Sequence, residues 1–128
     1  MLTVEDLCAA VKSVSVCDVI DYFPEELDDL VMARFTGGSR DIDLPTLREP
    51  TFQVIVRNRD ASKAERLATQ IESQLHTSFV QISGYDCTIF SKHEPLDLGK
   101  DGKERQMYSM NFEMIYQTRP NSQRLGIS

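Results

Sequence analysis

Nine residues near the end of the chain, Tyr108-Ser109-Met110-Asn111-Phe112-Glu113-Met114-Ile115-Tyr116, constrain the fold more than any others. Tyr108, Met110, Phe112, Met114 and Tyr116 recur at every second position, with Ser109, Asn111 and Glu113 between them. Side chains two apart share one face of a strand, so this segment is a strand with an apolar face to cover. Ala64, Leu67, Ala68, Ile71 and Leu75 form an apolar stripe at helical spacing. Asp60, and Ser62 followed by Glu65, mark the start of that helix, expected over about Ala61 to His76.

The remaining elements follow from the same two periods. Val4, Leu7, Cys8, Val11 and Val14 predict a first helix over about Thr3 to Ser15, with Thr3 and Asp6 as a capping box. Leu30 to Phe35 reads as a strand, ended by Thr36-Gly37-Gly38. Gly37 to Pro50 shows no clear period and reads as a long connection, mobile or used for contact. Phe52, Val54 and Val56 alternate with Gln53 and Arg57, giving a strand with one buried face. "FVQI" and "DCTIF" flank Ser83-Gly84-Tyr85 as a hairpin. His93 falls in a further predicted strand that ends near Leu98. The order implies an α+β fold: a mainly antiparallel sheet of four to five strands with two helices packed on one face. Residues 1–118 read as a single domain and 119–128 as an extended C-terminal arm, which holds Arg119 and Arg124 but no acid.

Charge and cysteine usage narrow the function. Fourteen basic against twenty acidic residues leave a net charge of −6. A surface of that sign disfavours a clamp on DNA or RNA but tolerates DNA passing nearby. No apolar run is long enough to span a bilayer, and the first residues lack the layout of a signal peptide, so synthesis in a cytoplasm and no membrane partner are expected. Cys8, Cys17 and Cys87 are odd in number and widely spaced, which speaks for buried thiols over a disulfide framework or a zinc site.

Leu98-Gly99-Lys100-Asp101-Gly102-Lys103 has the glycine and lysine content of a phosphate loop, yet Gly99 and Gly102 are too close and a strand follows. It reads as a hairpin turn, in which Asp101-Gly102 is a favoured pair because both tolerate positive φ. His76 closes a helix, where a histidine suits the dipole. Glu25, Glu26, Asp28 and Asp29 lack the calcium-loop pattern and read as a solvated acidic loop, or as one that faces a basic partner. Met110 and Met114 read as core. No catalytic, cofactor or metal residue is assigned.

Several pieces in order resemble the bacteriophage tail-terminator, or tail-completion, proteins, a family often described as phage minor capsid proteins. They are Thr36-Gly37-Gly38 after a strand, the run "PTFQVIVRNRDASKAERLATQIESQLH", Glu94-Pro95, Leu98 to Gly102, and "YSMNFEMIY". Together they span Leu30 to Tyr116; the acidic segment before Leu30 departs from the family pattern. The resemblance implies two helices against a β-sheet, no enzymatic activity and no cofactor. It further implies a ring, typically of six copies, at the head-proximal end of the tail tube. That ring would stop tube polymerisation and join the tail to the head connector. The protein would assemble in the host cytoplasm and end in the virion at the head–tail junction. Its partners would be copies of itself, the tail-tube protein and the connector or head-completion protein, with DNA passing unheld through the lumen.

On that reading the interface residues expected are Thr36, Gly37, Gly38, Arg40 and Arg48 in the long connection. Lys100, Asp101 and Lys103 form a second group at the hairpin tip, and Arg119 and Arg124 a third on the arm. Two other readings remain: a head-completion or adaptor protein of the same junction, and a small cytoplasmic enzyme or ligand-binding domain. The last would use Cys87, His93 and the face carrying Tyr108, and it requires a discrete pocket. A ring subunit instead exposes apolar patches when alone.

Overall fold

The computed structural model describes residues 2–15, 17–40 and 47–117. Helix α1 spans Val4–Ser15 and helix α2 Ala61–Leu75. The strands are β1 (Val19–Ile20), β2 (Leu30–Arg40), β3 (Leu47–Asn58), β4 (Ser78–Ile82), β5 (Tyr85–Ser91), β6 (Leu96–Lys100) and β7 (Gln106–Gln117). They make one seven-stranded sheet in the order β1-β2-β3-β7-β5-β4, with β6 also paired to β7. Along one side of β7, β6 takes the first half of its length and β5 the second. Among the described residues only β1 against β2 is parallel. The expected α+β class stands, but the sheet is larger than four to five strands and is mixed.

Both helices start where their caps dictate. Asp6 Oδ2 accepts the Thr3 N–H at 2.9 Å while Thr3 Oγ1 accepts the Asp6 N–H at 3.2 Å, a reciprocal box. Asp60 Oδ1 accepts from the N–H groups of Ser62 and Lys63. His76 lies one residue past α2 as its C-cap, and its Nδ1 accepts the Ser91 N–H at 2.9 Å. α1 and α2 share one core with a single sheet face. That core joins Leu7, Val11, Ala64, Ala68 and Ile71 to Val54, Val56, Met110, Phe112 and Met114. Phe52 and Phe112, opposite each other in register, stack at 4.9 Å. Met110 and Met114 are fully buried, as their period requires. Among the described residues no helix is long and apolar enough to cross a membrane.

Several expectations are corrected. β2 does not stop at Thr36-Gly37-Gly38 but runs on to Arg40, and β3 begins at Leu47, so most of the expected loop is a long hairpin. The glycines make this possible. Gly37 and Gly38 take φ of +131° and +128°, with a register shift between Phe35 and Gly37. Gly38 passes so close to Pro50 that an added Cβ would lie 2.3 Å from the Pro50 Cα. His93 lies in the turn between β5 and β6, not in a strand. Tyr85 opens β5, leaving Ser83 (φ +50°) and Gly84 (φ +83°) as the hairpin turn. Positive φ falls on Gly99, at the register shift inside β6, and on Glu104 in the β6–β7 turn, which the Asp101 side chain organises. Arg57, expected on an open face, is buried.

Candidate assembly surfaces

The sheet face opposite the helices is where the buried charges and the exposed apolar groups meet. At one end the segment from Tyr22 to Asp29 folds over Leu30, Met32, Ile55 and Met107, a second small apolar cluster. Two guanidinium groups hold it there. Arg57 Nη2 donates to the carbonyls of Pro24 and Leu27, and its guanidinium lies 5.2 Å from the Phe23 ring centre. Arg105 Nη1 donates to the Glu25 carbonyl at 2.8 Å, while Nε and Nη2 fork onto Asp101 Oδ2 at 2.8 and 2.7 Å. Glu25 and Asp28 carboxylates lie 3.7 and 3.6 Å from the same group. Only 2% of the Arg105 side chain is exposed, so its charge is sheltered and fully surrounded by oxygens.

The acidic segment is therefore a strap that faces the chain's own basic groups, Arg59 with Asp29 among them. Among the described residues no cluster of acids, histidines and cysteines suits a metal ion. Asp101 also accepts the N–H groups of Lys103 and Arg105. With Arg105 as the main cause, its carboxyl is held down to about 2. The hairpin tip is thus rigid, and it turns Lys100 and Lys103 outward, each with a loose ion pair to Glu104 or Glu25. Sequence reading missed Arg105. The signal was present: one arginine directly after the Lys100–Lys103 turn, in a chain with an unexplained acidic run.

The β2–β3 hairpin carries the other expected contacts. Thr36 and Thr51 hydroxyls lie 2.9 Å apart across it, and Arg40 stands opposite Arg48 in register. Thr36, Gly37 and Gly38 are exposed. The first group, at this hairpin, and the second, at the β6–β7 tip, sit on different parts of the molecule. Arg119 and Arg124 lie outside the described residues.

Large apolar side chains stand in water on this same side of the sheet. Phe79 on β4 is 86% exposed, and Phe90 and Ile115 are further members on β5 and β7. Register puts Phe79 beside Thr88 and Thr88 beside Ile115, one row across three strands, with Phe90 two positions further along β5 beside Glu113. At the other end Leu96 and Leu98 of β6 are about half exposed, at 49% and 51%, and Tyr22 of the strap is 62% exposed.

The residues of the enzyme reading do not converge. Cys87 is buried on the helix side, where desolvation pushes its thiol up to about 11. His93 lies in the turn toward the opposite face, its Nε2 2.9 Å from Asn111 Nδ2. Tyr108 faces the helix side beside Asp97. With a sheet between them, the thiol and the imidazole cannot act as nucleophile and base.

No curated protein sequence matches the chain. Among solved structures, one chain from the "Virion of native gene transfer agent (GTA) particle" superposes with a TM-score of 0.61 at 12% identity, over 85% of both chains. A second superposes with a TM-score of 0.56 at 14% identity, over 91% of this chain and 92% of the other. At these identities the likeness shows a shared fold. Residues 5–118 match the family model described as "Bacteriophage tail terminator protein". The chain thus belongs to the bacteriophage tail terminator family and is a structural protein of phage tails.

Proposed function

We propose that the protein forms a ring of six copies on the head-proximal end of the tail, ends tube polymerisation there and presents a seat for the head connector. The observation that carries this reading is the family match over 5–118. The exposed apolar groups Phe79, Phe90 and Ile115 on one sheet face support it, because a lone subunit of a closed assembly leaves such a face uncovered. The β2–β3 hairpin, with Thr36, Gly37, Gly38, Arg40 and Arg48, serves as one contact with tube or connector. The β6–β7 tip serves as another: Asp101 fixes its shape, and Lys100 and Lys103 carry its charge. The arm of 119–128 brings Arg119 and Arg124 to an acidic neighbour. Residues 1–118 act as the single folded domain. A net charge of −6 lets the genome slide past the ring without being held. Assembly takes place in the host cytoplasm, and the finished ring sits at the head–tail junction of the virion.

The test is the mass of the purified protein, alone and with tail-tube subunits, with negative-stain images of the same samples. Rings on one end of capped tubes are the expected result. Tubes that grow to the same length with and without the protein would refute the terminator role. Binding to connectors but never to tubes would instead support the head-completion reading.

A further inference from the structure

Among the described residues β4 is the last strand of the sheet, and none of them forms a strand along its outer edge. Free edges in lone proteins are usually blunted by lysine, proline or a bulge. The β4 sequence, Ser-Phe-Val-Gln-Ile, has no proline and no charge, and its pairing with β5 shows no register shift. Beside that edge α1 leaves a groove of about 260 Å³. Its walls are Ala9, Ala10 and Ser13 from the helix, all small, and Val80, Gln81 and Ile82 from the strand. Asp6 closes one end through its hydrogen bond from the Ser83 hydroxyl.

The shape is that of a slot for one more strand, with side-chain room on the helix side. Residues 118–128 have the matching features. Gln123, Leu125 and Ile127 fall on alternate positions, so an extended chain puts both apolar groups on one face. Arg119 and Arg124 are its only charged side chains, whereas the acidic Asp6 stands at the groove's closed end. Eleven extended residues reach about 36 Å, ample to cross between neighbouring copies. The chain's own arm would have to enter past the closed end of the groove. β7 ends at Gln117, one position past the Tyr116–Cys87 pair, on the side that the Asp6–Ser83 contact closes. The backbone of Leu2 bonded to Tyr116 guards the same corner.

We propose that residues 123–127 of a second copy add to the β4 edge as a strand, with Leu125 and Ile127 seated against Ala9, Ala10, Val80 and Ile82. The inference rests on the reading of the protein as a self-assembling ring, and it names which surface of one copy receives which segment of the next. Around a ring the contact is heterologous and closes on itself.

The test uses the full chain with Cys8→Ser and Cys17→Ser; Cys87 stays, since it is buried. Two variants are oxidised under mild conditions and run without reductant: Ala9→Cys with Gln123→Cys, and Ser13→Cys with Gln123→Cys. At least one should give a ladder of covalent dimers and higher multimers. A peptide of residues 118–128 in excess should weaken that ladder about fivefold, and the same peptide with Leu125→Asp and Ile127→Asp should not. Only an internally linked monomer would overturn the proposal by showing that each arm serves its own groove. No product in either variant would overturn it as well. Native mass measurement of the unmodified protein separates the two levels. Oligomers without a ladder defeat the arm's seat alone, whereas the absence of oligomers, both free and on tubes, defeats the ring reading itself.

Discussion

Arg105 and Asp101 carry a charge pair whose neighbours set its pH response. Arg105 donates to Asp101 through Nε and Nη2, and this is the first cause of the low Asp101 pKa of about 2. The ordinary value is 3.8. A carboxyl depressed by folding contributes fully above its unfolded pKa and loses that contribution as pH falls through the folded one. The Asp101 share of stability is thus complete above about pH 4 and is lost toward pH 2. Urea melts at pH 6 and pH 2.5 should show a smaller difference for Asp101→Asn than for the parent; equal differences would place the acid sensitivity elsewhere. Asp6 and Asp29 are also lowered, through Ser83 and the Arg59 backbone respectively, so part of the acid limb remains in the variant. Arg105→Met leaves Asp101 without its main partner, takes the Arg105 donor from the Glu25 carbonyl and leaves the Leu27 carbonyl with Arg57 alone. The expected outcome is a melting midpoint several degrees lower and faster proteolysis between Tyr22 and Asp29, read by mass spectrometry of early fragments.

Elements differ in how openly the chain announces them. α2 and β7 were legible because a stripe at helical spacing and an alternation over nine residues leave no competing period, and burial follows both patterns. The first helix was legible from its capping box. The β2–β3 hairpin was hidden because Gly37, Gly38 and Pro50 ordinarily end strands. Here the glycines supply backbone angles that let two strands cross at contact distance, a tertiary fact with no local trace. Arg57 misled for a similar reason. Alternation placed it correctly on the face away from the helices, but it could not reveal that a strap 30 residues upstream would cover that face. The expected contact residues of the hairpin were read from a supposed loop, so their place on a rigid ribbon came only from the structure. Gly38→Ala should cost roughly 1–3 kcal/mol from backbone strain alone, before the clash with Pro50 is counted. Gly84→Ala, with open space around it, should cost only its φ penalty. Chemical denaturation of the two variants checks the ranking. Asp60→Ala removes two capped N–H groups from α2 and should cost about 0.5–2 kcal/mol by the same measurement.

For the molecule as a whole the decisive contrast is between what stabilises the subunit and what it offers to others. Phe79 separates the two cleanly, since it is 86% exposed and belongs to neither core cluster. If its ring served only the monomer, Phe79→Asp would change stability by about 0.5 kcal/mol or less and leave assembly untouched. The ring reading expects the first half of that result without the second. An exposed phenylalanine on an end strand, in line with Thr88 and Ile115, lies where an added strand and its neighbours would cover it. A buried aspartate there must lose its hydration, so the variant should melt like the parent yet lose at least about tenfold in assembly affinity, corresponding to 1.4 kcal/mol or more. Sedimentation of parent and variant over a range of concentrations measures the shift. Identical assembly curves would remove β4 and the outer row from the subunit contact, and the search for it would move to the hairpin of β2 and β3.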